Sequence, residues 1–236
     1  MAKKPRKNDP VRARRARWRA LIALALAFAA LAFTDFGFVK LARGPAPMAE
    51  AETLAPGDYV RQDVGKILGN IATGYRGEKA TEVYAVVPLS SRLYVFCFPQ
   101  RWFASELALR EKTDAWLEDM HGGFDDYVLV TGTVGDLPEN VAAELKTWLA
   151  EREDGLRQYG QIPAGVAAED CVAPCVVYVD RVGRQPFGTV ILLSALALAL
   201  TLYALVVLLR LALRGYGAKK KDKTKKKPKE ARHAKA

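Results

Sequence analysis

Residues 187–209 read FGTVILLSALALALTLYALVVLL, an apolar run without a charged side chain, and residues 20–39 read ALIALALAFAALAFTDFGFV. A helix of about 20 mostly apolar residues can cross the ~30 Å hydrocarbon core of a bilayer. Both runs reach that length. The sequence therefore predicts two transmembrane helices, over residues 20–40 and 186–210.

Basic side chains are concentrated outside the two runs. Residues 1–19 carry nine Lys and Arg against one Asp, and residues 210–236 carry twelve against Asp222 and Glu230, whereas the whole chain has a net charge of +10. The residues between the tails are therefore acidic. Because Lys and Arg near a span are retained on the cytoplasmic side, we expect a two-pass protein of the cell membrane with both termini cytoplasmic. We expect no specific binding to nucleic acid, since the positive charge lies in tails and not on a folded face.

The N-terminus, residues 1–19, and the first run admit a second interpretation, a cleaved signal peptide, because a basic segment precedes a short apolar core. Pro45 and Pro47 interrupt the small residues that follow, and no clean cleavage site lies at the usual distance. An uncleaved anchor is the preferred interpretation. Asp35 is the one charge in this run, and we expect it at the outer interface, about a turn from the end of the span.

Small residues recur in both runs, for example Ala23 and Ala27 in the first and Ala197 and Ala204 in the second. Small side chains let helices approach closely in a membrane. This pattern predicts packing of the two spans on each other or on a partner, including a homo-oligomer.

The C-terminal tail, residues 211–236, is rich in lysine and contains Pro228. Its composition predicts a disordered segment. Lysines close to an anionic leaflet each contribute about 1 kcal/mol to membrane binding. The side chains expected to contact inner-leaflet lipid are Lys219, Lys220, Lys221, Lys225, Lys226 and Lys227.

Residues 58–185 are expected to form one extracytoplasmic domain, after a linker at residues 41–57 that is rich in Pro, Gly and small residues. Apolar side chains recur at helical spacing in residues 101–120 and 141–149, so two amphipathic helices are predicted. Predicted strands lie at residues 66–72, 81–87, 93–98, 127–134 and 176–182.

This order of elements indicates an α+β domain in which the two helices cover one face of a mainly antiparallel sheet. Gly132 lies inside one predicted strand. Small barrels use such glycines to bend a strand, so an OB-like barrel is an alternative to an open sheet.

Three cysteines are the residues with the most chemical potential. Cys171 and Cys175 enclose Val-Ala-Pro, and Cys97 lies in a predicted strand. Disulfides form outside the cytoplasm, so Cys171 and Cys175 are the disulfide candidates and Cys97 is expected to be a free, buried thiol. A bridge from Cys97 to one of the other two is the alternative.

Other chemistry has weaker support in the sequence. A redox motif favours two cysteines separated by two residues at a helix start, which this spacing does not match. A zinc site would have to combine His121 with all three cysteines. We therefore predict no catalytic residue, no metal site and no cofactor.

Several core patterns resemble an uncharacterised family of two-span bacterial membrane proteins. They are VYAVVPL at residues 83–89, LYVF at 93–96, a helix that ends near Trp116, VTGTV at 130–134 and a helix over 144–148. Members place one α+β domain of unknown function between their spans. The resemblance covers most of residues 59–209, excludes the lysine-rich tail, and implies the architecture without a function.

Two functions follow as hypotheses. The first is a membrane-anchored, extracytoplasmic binding or interaction module without catalytic activity, whose protein partner is unknown. The second is a thiol-based enzyme or redox accessory at the outer membrane face, which would use Cys171, Cys175 or Cys97.

Overall fold

The computed structural model describes residues 10–48, 54–90, 92–119 and 126–226. These residues form two compact units, one within Met1–Phe36 and Ile191–Ala236 and the other within Gly37–Val190. The elements in chain order are α1 (Pro10–Phe33), α2 (Gly37–Arg43), β1 (Ala46–Pro47), β2 (Tyr59–Val64), β3 (Gly69–Arg76), β4 (Lys79–Leu89), β5 (Arg92–Pro99), α3 (Phe103–Asp119), β6 (Val128–Asp136), α4 (Glu139–Gln158), β7 (Val172–Val179), β8 (Arg181–Val182), β9 (Gln185–Pro186) and α5 (Phe187–Lys226).

The first unit is a pair of apolar helices, α1 and most of α5. Ala20, Ala23 and Ala204 are buried in one cluster, so small side chains form the contact between the helices, as predicted. The stretches Val11–Phe33 and Phe187–Leu213 are long and apolar enough to cross a membrane. Large apolar side chains that remain exposed on the two helices include Leu21, Ile22, Leu26, Phe28, Leu198, Leu202 and Leu205.

A turn separates α1 from α2. Thr34 Oγ1 donates a hydrogen bond to Leu31 O at 2.9 Å, and Asp35 and Phe36 have φ angles of 49° and 52°. Residues in this left-handed conformation interrupt a helix. The helix predicted over residues 20–40 is therefore divided, and Asp35, which was expected inside it, lies in the turn beyond α1.

Helix α5 continues past the predicted second span to Lys226. The prediction of a disordered tail is thus corrected for residues 211–226. Leu, Ala and Lys all have high helix propensity, so a helix that leaves the apolar run can continue through them. Residues 227–236 lie outside the described residues.

The second unit contains a seven-stranded sheet with the order β1-β2-β6-β7-β5-β4-β3. Neighbouring strands are antiparallel except for β1–β2 and β5–β7, which are parallel. The predicted α+β class and mainly antiparallel sheet are confirmed, with the addition that the sheet is mixed. Strand β2 was not predicted, and β8 and β9 form a separate short hairpin.

The connection between β2 and β3 forces this sheet to curve. Five inter-strand steps of about 4.8 Å separate β2 from β3, which amounts to about 24 Å in a flat sheet. Residues 65–68 join the two strands, and an extended chain of that length reaches only about 18 Å. Leu68 N also donates to Val86 O at 2.8 Å, which holds the connection on β4. The two sides of the sheet therefore approach each other and form a partly open barrel.

Alternating side chains give the barrel an inner and an outer apolar cluster. The inner cluster includes Val60, Val64, Val83, Ala85, Phe96, Phe98, Val130, Val134, Cys175 and Val177, with Leu109 of α3. The outer cluster includes Tyr84, Val86, Val95, Cys97 and Val176, with Val141, Leu145, Trp148, Leu149 and Leu156 of α4. The prediction that both helices cover one face is wrong, because α3 packs with the inner side and α4 with the outer side. Helical spacing shows that a helix has an apolar stripe and does not show which face of a sheet it meets.

The ends of this unit lie side by side. Gly37 is buried, and a Cβ at this position would lie 3.0 Å from Cγ1 of Val190 and 3.4 Å from Cγ1 of Val182. Phe187 N donates to Asp180 O at 2.8 Å, which fixes the start of α5 to the end of β7.

Candidate functional site

The three cysteines are free and buried in the structure. Cys97 and Cys171 belong to the outer cluster, whereas Cys175 belongs to the inner cluster. Cys171 ends a short 3-10 turn and Cys175 lies within β7. The three cysteines that could pair in a disulfide therefore lie at different places on the barrel.

The predicted Cys171–Cys175 disulfide is not formed in the structure. The strand from Val172 to Cys175 alone extends about 10 Å at 3.3 Å per residue. A disulfide requires Cα atoms less than about 7 Å apart. Cys97 is paired with Tyr178 at the other end of β7 from Cys171, and it lies on the opposite face from Cys175.

Cys97 belongs to a polar group, the Glu82 cluster, which consists of Glu82, Tyr84, Cys97, Tyr178 and Arg181. The Glu82 carboxylate is its centre: it accepts hydrogen bonds from Tyr84 OH at 3.1 Å, from Arg181 Nη2 at 3.0 Å and from Cys97 Sγ at 3.6 Å. The Arg181 guanidinium lies 4.6 Å from the centre of the Tyr178 ring. The cluster joins β4, β5, β7 and β8.

Burial is the main cause of the pKa shifts in this cluster. Burial, together with the nearby Glu82 carboxylate, raises the pKa of Cys97 from 9.0 to about 12. Burial also raises the pKa of Tyr84 and of Tyr178. The Cys97 thiol therefore stays protonated at neutral pH, and a protonated thiol is a poor nucleophile. The cluster holds strands together and does not offer an activated thiol.

Two glycines make room for the Glu82 cluster. A Cβ at Gly74 would lie 2.6 Å from Cγ of Glu82, and a Cβ at Gly135 would lie 2.7 Å from Cε2 of Tyr178. Sequence reasoning missed this cluster because its members are distant in the chain. Glu82 within the apolar strand at 81–87 was the one local signal, since a carboxylate that is partly removed from water favours a position beside hydrogen-bond donors.

The turn after β7 is also fixed by polar contacts. Asp180 has a φ angle of 61° and its carboxylate accepts hydrogen bonds from Trp102 Nε1 and Arg101 Nε. Asp180 N donates to Thr131 O at 2.8 Å. These contacts position Arg181 beside Glu82.

A cleft of about 280 Å³ lies between the second half of α3 and α4. Its apolar walls include Leu68, Leu117 and Leu156, and its polar groups include Arg152 and Glu151. No spacing rule in the sequence brings these side chains together.

A wider hollow of about 420 Å³ adjoins α2 and the start of β2. Lys40 lines it, but Lys40 Nζ already donates to Gly57 O at 2.6 Å. This lysine is therefore engaged in joining α2 to the barrel.

The remaining residues named in the sequence analysis are the possible metal ligands and the lysines of the tail. Among the described residues, no group of three or more His, Cys, Asp or Glu is placed to hold a metal ion. His121 and Lys227 lie outside those residues. The backbones of Lys219, Lys220, Lys221, Lys225 and Lys226 belong to α5.

Comparison with known proteins gives one family. The model of a family described as "Domain of unknown function (DUF8577)" matches residues 11–210. The match spans both apolar helices and the barrel, and it confirms the resemblance to a family with a domain of unknown function. Searches of curated proteins and of solved structures gave no match.

Proposed function

The chain belongs to the DUF8577 family, and on that premise we propose that it is a two-pass membrane protein that presents a non-catalytic binding domain outside the cytoplasm. The observation that supports this proposal is that the cysteine thiols are buried. Cys97 and Cys175 are buried, and burial raises the pKa of both. A thiol enzyme needs an accessible cysteine with a lowered pKa.

The proposed orientation rests on charge. The tails at residues 1–19 and 210–236 hold most of the excess of Lys and Arg. Such residues near a span are retained in the cytoplasm, which places Gly37–Val190 on the other side of the membrane.

We further infer that the barrel is OB-like. Strand β2 continues through residues 65–68 into β3, so these two act as one bent strand that pairs with β6 and with β4. Helix α3 connects β5 to β6, and β7 pairs in parallel with β5. OB domains are partly open Greek-key barrels of this kind, and many bind oligonucleotides or oligosaccharides on one outer face. Here α4 covers the outer side of β4 and β5, so we do not propose nucleic-acid binding.

The topology can be tested by labelling single new cysteines. Glu78→Cys lies at the exposed β3–β4 turn, and Lys223→Cys lies in the tail. A membrane-impermeant maleimide is expected to label Glu78→Cys in intact cells and to label Lys223→Cys only after the membrane is permeabilised. The parent chain is the control and should remain unlabelled, because its thiols are buried. Labelling of Lys223→Cys in intact cells would disprove the orientation.

The lysine-rich tail is proposed to contact anionic lipid. A peptide of residues 215–236 is expected to bind vesicles that contain anionic lipid and to leave them as salt rises to about 0.5 M, because charge attraction decays within a Debye length. The matched control replaces Lys219, Lys220, Lys221, Lys225, Lys226 and Lys227 with Gln, and should bind at least about 100-fold more weakly. Co-sedimentation measures both. Salt-resistant binding to neutral vesicles would contradict this role.

A further inference from the structure

We propose that the barrel domain, where its chain joins the two spans, binds the phosphate groups of anionic phospholipids in the leaflet beside it. The surface that binds them, which we call the basal patch, consists of α2 and the β8–β9 hairpin and carries the cations Lys40, Arg43 and Arg184. This inference rests on the proposed function, because it names a partner of a membrane-anchored domain.

The position of the basal patch follows from the length of the chain. Residues 34–36 separate α2 from Phe33, the last residue of the first apolar stretch, and Phe187 begins the second apolar stretch directly after β9. The link before α2 extends at most about 14 Å, and the headgroup region adds about 5–7 Å to each side of the hydrocarbon core. When the two stretches cross a bilayer, α2 and the hairpin are therefore within reach of the headgroups.

Packing holds the two parts of the basal patch together. A Cβ at Gly37 in α2 would lie 3.4 Å from Cγ1 of Val182 in β8 and 3.0 Å from Cγ1 of Val190. Lys40 Nζ also donates a hydrogen bond to Gly57 O at 2.6 Å, which ties α2 to the segment before β2. The cations of the patch are thus carried by segments that pack on one another.

The charge of the basal patch is opposite to that of the domain that carries it. Residues 37–190 hold 15 Lys and Arg against 22 Asp and Glu, so an anionic leaflet repels the domain as a whole. Arg43 and Arg184 are exposed, and no ion pair between described residues involves either of them or Lys40. Cations that lack a carboxylate partner beside the headgroups are suited to bind phosphate.

A hollow of about 420 Å³ provides room for a phosphate group. Lys40 and Arg43 line it, as do Gly44 and Gly57, which have no side chain to fill it. Asp58 is the acidic residue among its described lining, and Asp58 Oδ2 already accepts a backbone N–H at 2.8 Å. Lys40 and Arg43 are three residues apart on α2, a spacing at which like charges repel. A phosphate between them would remove that repulsion and accept hydrogen bonds from both.

Aromatic side chains of the same segments suit the boundary between headgroups and acyl chains. Phe38 of α2 and Phe187, which follows β9, are both exposed. Helices that lie in a membrane interface combine Lys and Arg with Phe or Leu side chains that enter the acyl region. The basal patch has both components, so we expect it to bind a lipid and not a free anion.

The test uses the full chain in neutral detergent micelles, with a bimane label on Ala42→Cys at an exposed position of α2. The parent thiols are buried, so the label reports on position 42. Dioctanoyl phosphatidylglycerol, an anionic lipid, is expected to shift the bimane emission to saturation. Dioctanoyl phosphatidylcholine should require at least about tenfold more lipid. Inorganic phosphate at the same concentrations should give no shift, because it has no acyl chain to hold it at the interface.

Two double variants of the labelled chain separate the basal patch from charge in general. Arg43→Gln with Arg184→Gln should raise the half-saturating concentration of phosphatidylglycerol about 25-fold, since each cation near an anionic surface contributes about fivefold. Arg76→Gln with Lys79→Gln, beside the β3–β4 turn, removes the same charge elsewhere and should change that concentration less than about twofold. All four side chains are exposed, so both variants should melt as the parent does.

The proposal is overturned if phosphatidylglycerol gives no saturable shift, if the neutral lipid or inorganic phosphate acts equally well, or if the two double variants weaken binding equally. Micelles expose both sides of the chain, so these results do not depend on its orientation. With Glu78→Cys labelled in intact cells as expected, they would remove only the lipid contact. Labelling of Lys223→Cys in intact cells would instead remove the proposed function.

Discussion

Gly132→Ala is expected to unfold the barrel under conditions in which the parent chain is folded. A Cβ at position 132 would lie 2.5 Å from the backbone O of Tyr178 and 3.0 Å from its carbonyl carbon. These are backbone atoms of β7, which pairs with β6 at Gly132 and Val179. The clash can be relieved only by separating two central strands. We expect a loss of about 3 kcal/mol or more, out of the 5–15 kcal/mol that roughly covers the stability of most domains.

Urea unfolding of the full chain in micelles, followed by far-UV circular dichroism, measures this effect. Gly155→Ala is the matched control, because its Cβ would meet no atom within 4 Å. In a helix interior this change should raise stability by about 0.5–1 kcal/mol. Equal stability of Gly132→Ala and the parent would show that β6 and β7 do not approach as closely as the structure has them.

The second large effect concerns thiol reactivity. At pH 8 the folded chain is expected to react with iodoacetamide at Cys97 at least about 10³-fold more slowly than an unperturbed cysteine. The pKa of Cys97 is raised from 9.0 to about 12, and each unit lowers the thiolate fraction about tenfold at this pH. Burial adds a steric barrier, since Cys97 is 2% exposed.

Mass spectrometry of chain treated without reductant distinguishes the possible states of the thiols. The folded chain should gain no adduct in the time in which urea-unfolded chain gains three. Glu78→Cys should gain one adduct while folded, which controls for the reagent. Rapid formation of an adduct on the folded parent chain would support the thiol-enzyme hypothesis. Fewer than three adducts on the unfolded chain would demonstrate a disulfide.

The central strands of the barrel could be predicted from the sequence because they are buried on both sides. The hairpin at residues 81–87 and 93–98 corresponds to β4 and β5, whose side chains fill both apolar clusters. Strand β2 was missed because its sequence, YVRQDV, places Arg61, Gln62 and Asp63 in a row. Only one face of this strand meets the core, at Val60 and Val64, and the polar residues obscure that alternation.

Closure of the sheet could not be predicted from local patterns. It depends on residues 65–68, which join strands at opposite sides of the sheet, and periodicity carries no information on strand order. Gly132 suggested a bent strand in the sequence, and the structure gives this glycine a different reason. Its place is required by the approach of Tyr178 on β7, a contact between strands that are distant in the sequence.

The candidate site was still less visible in the sequence. Trp148 lies within the predicted second helix, but the packing of its indole on β3, with an Nε1 atom that has no partner among the described residues, is not visible in the sequence. The helical spacing of residues 101–120 and 141–149 says nothing of where Asp114, Glu151 and Arg152 lie relative to one another. Their proximity to one cleft depends on how α3 and α4 meet around Leu68.

Gly37 and Val190, the first and last residues of the second unit, lie against each other. The barrel is therefore a domain inserted between two helices. Domains whose termini meet can be gained, lost or circularly permuted while the surrounding chain keeps its own fold. Removing residues 37–190 would therefore leave the two apolar helices joined at a single point in the chain, and the barrel could be expressed as a unit of its own.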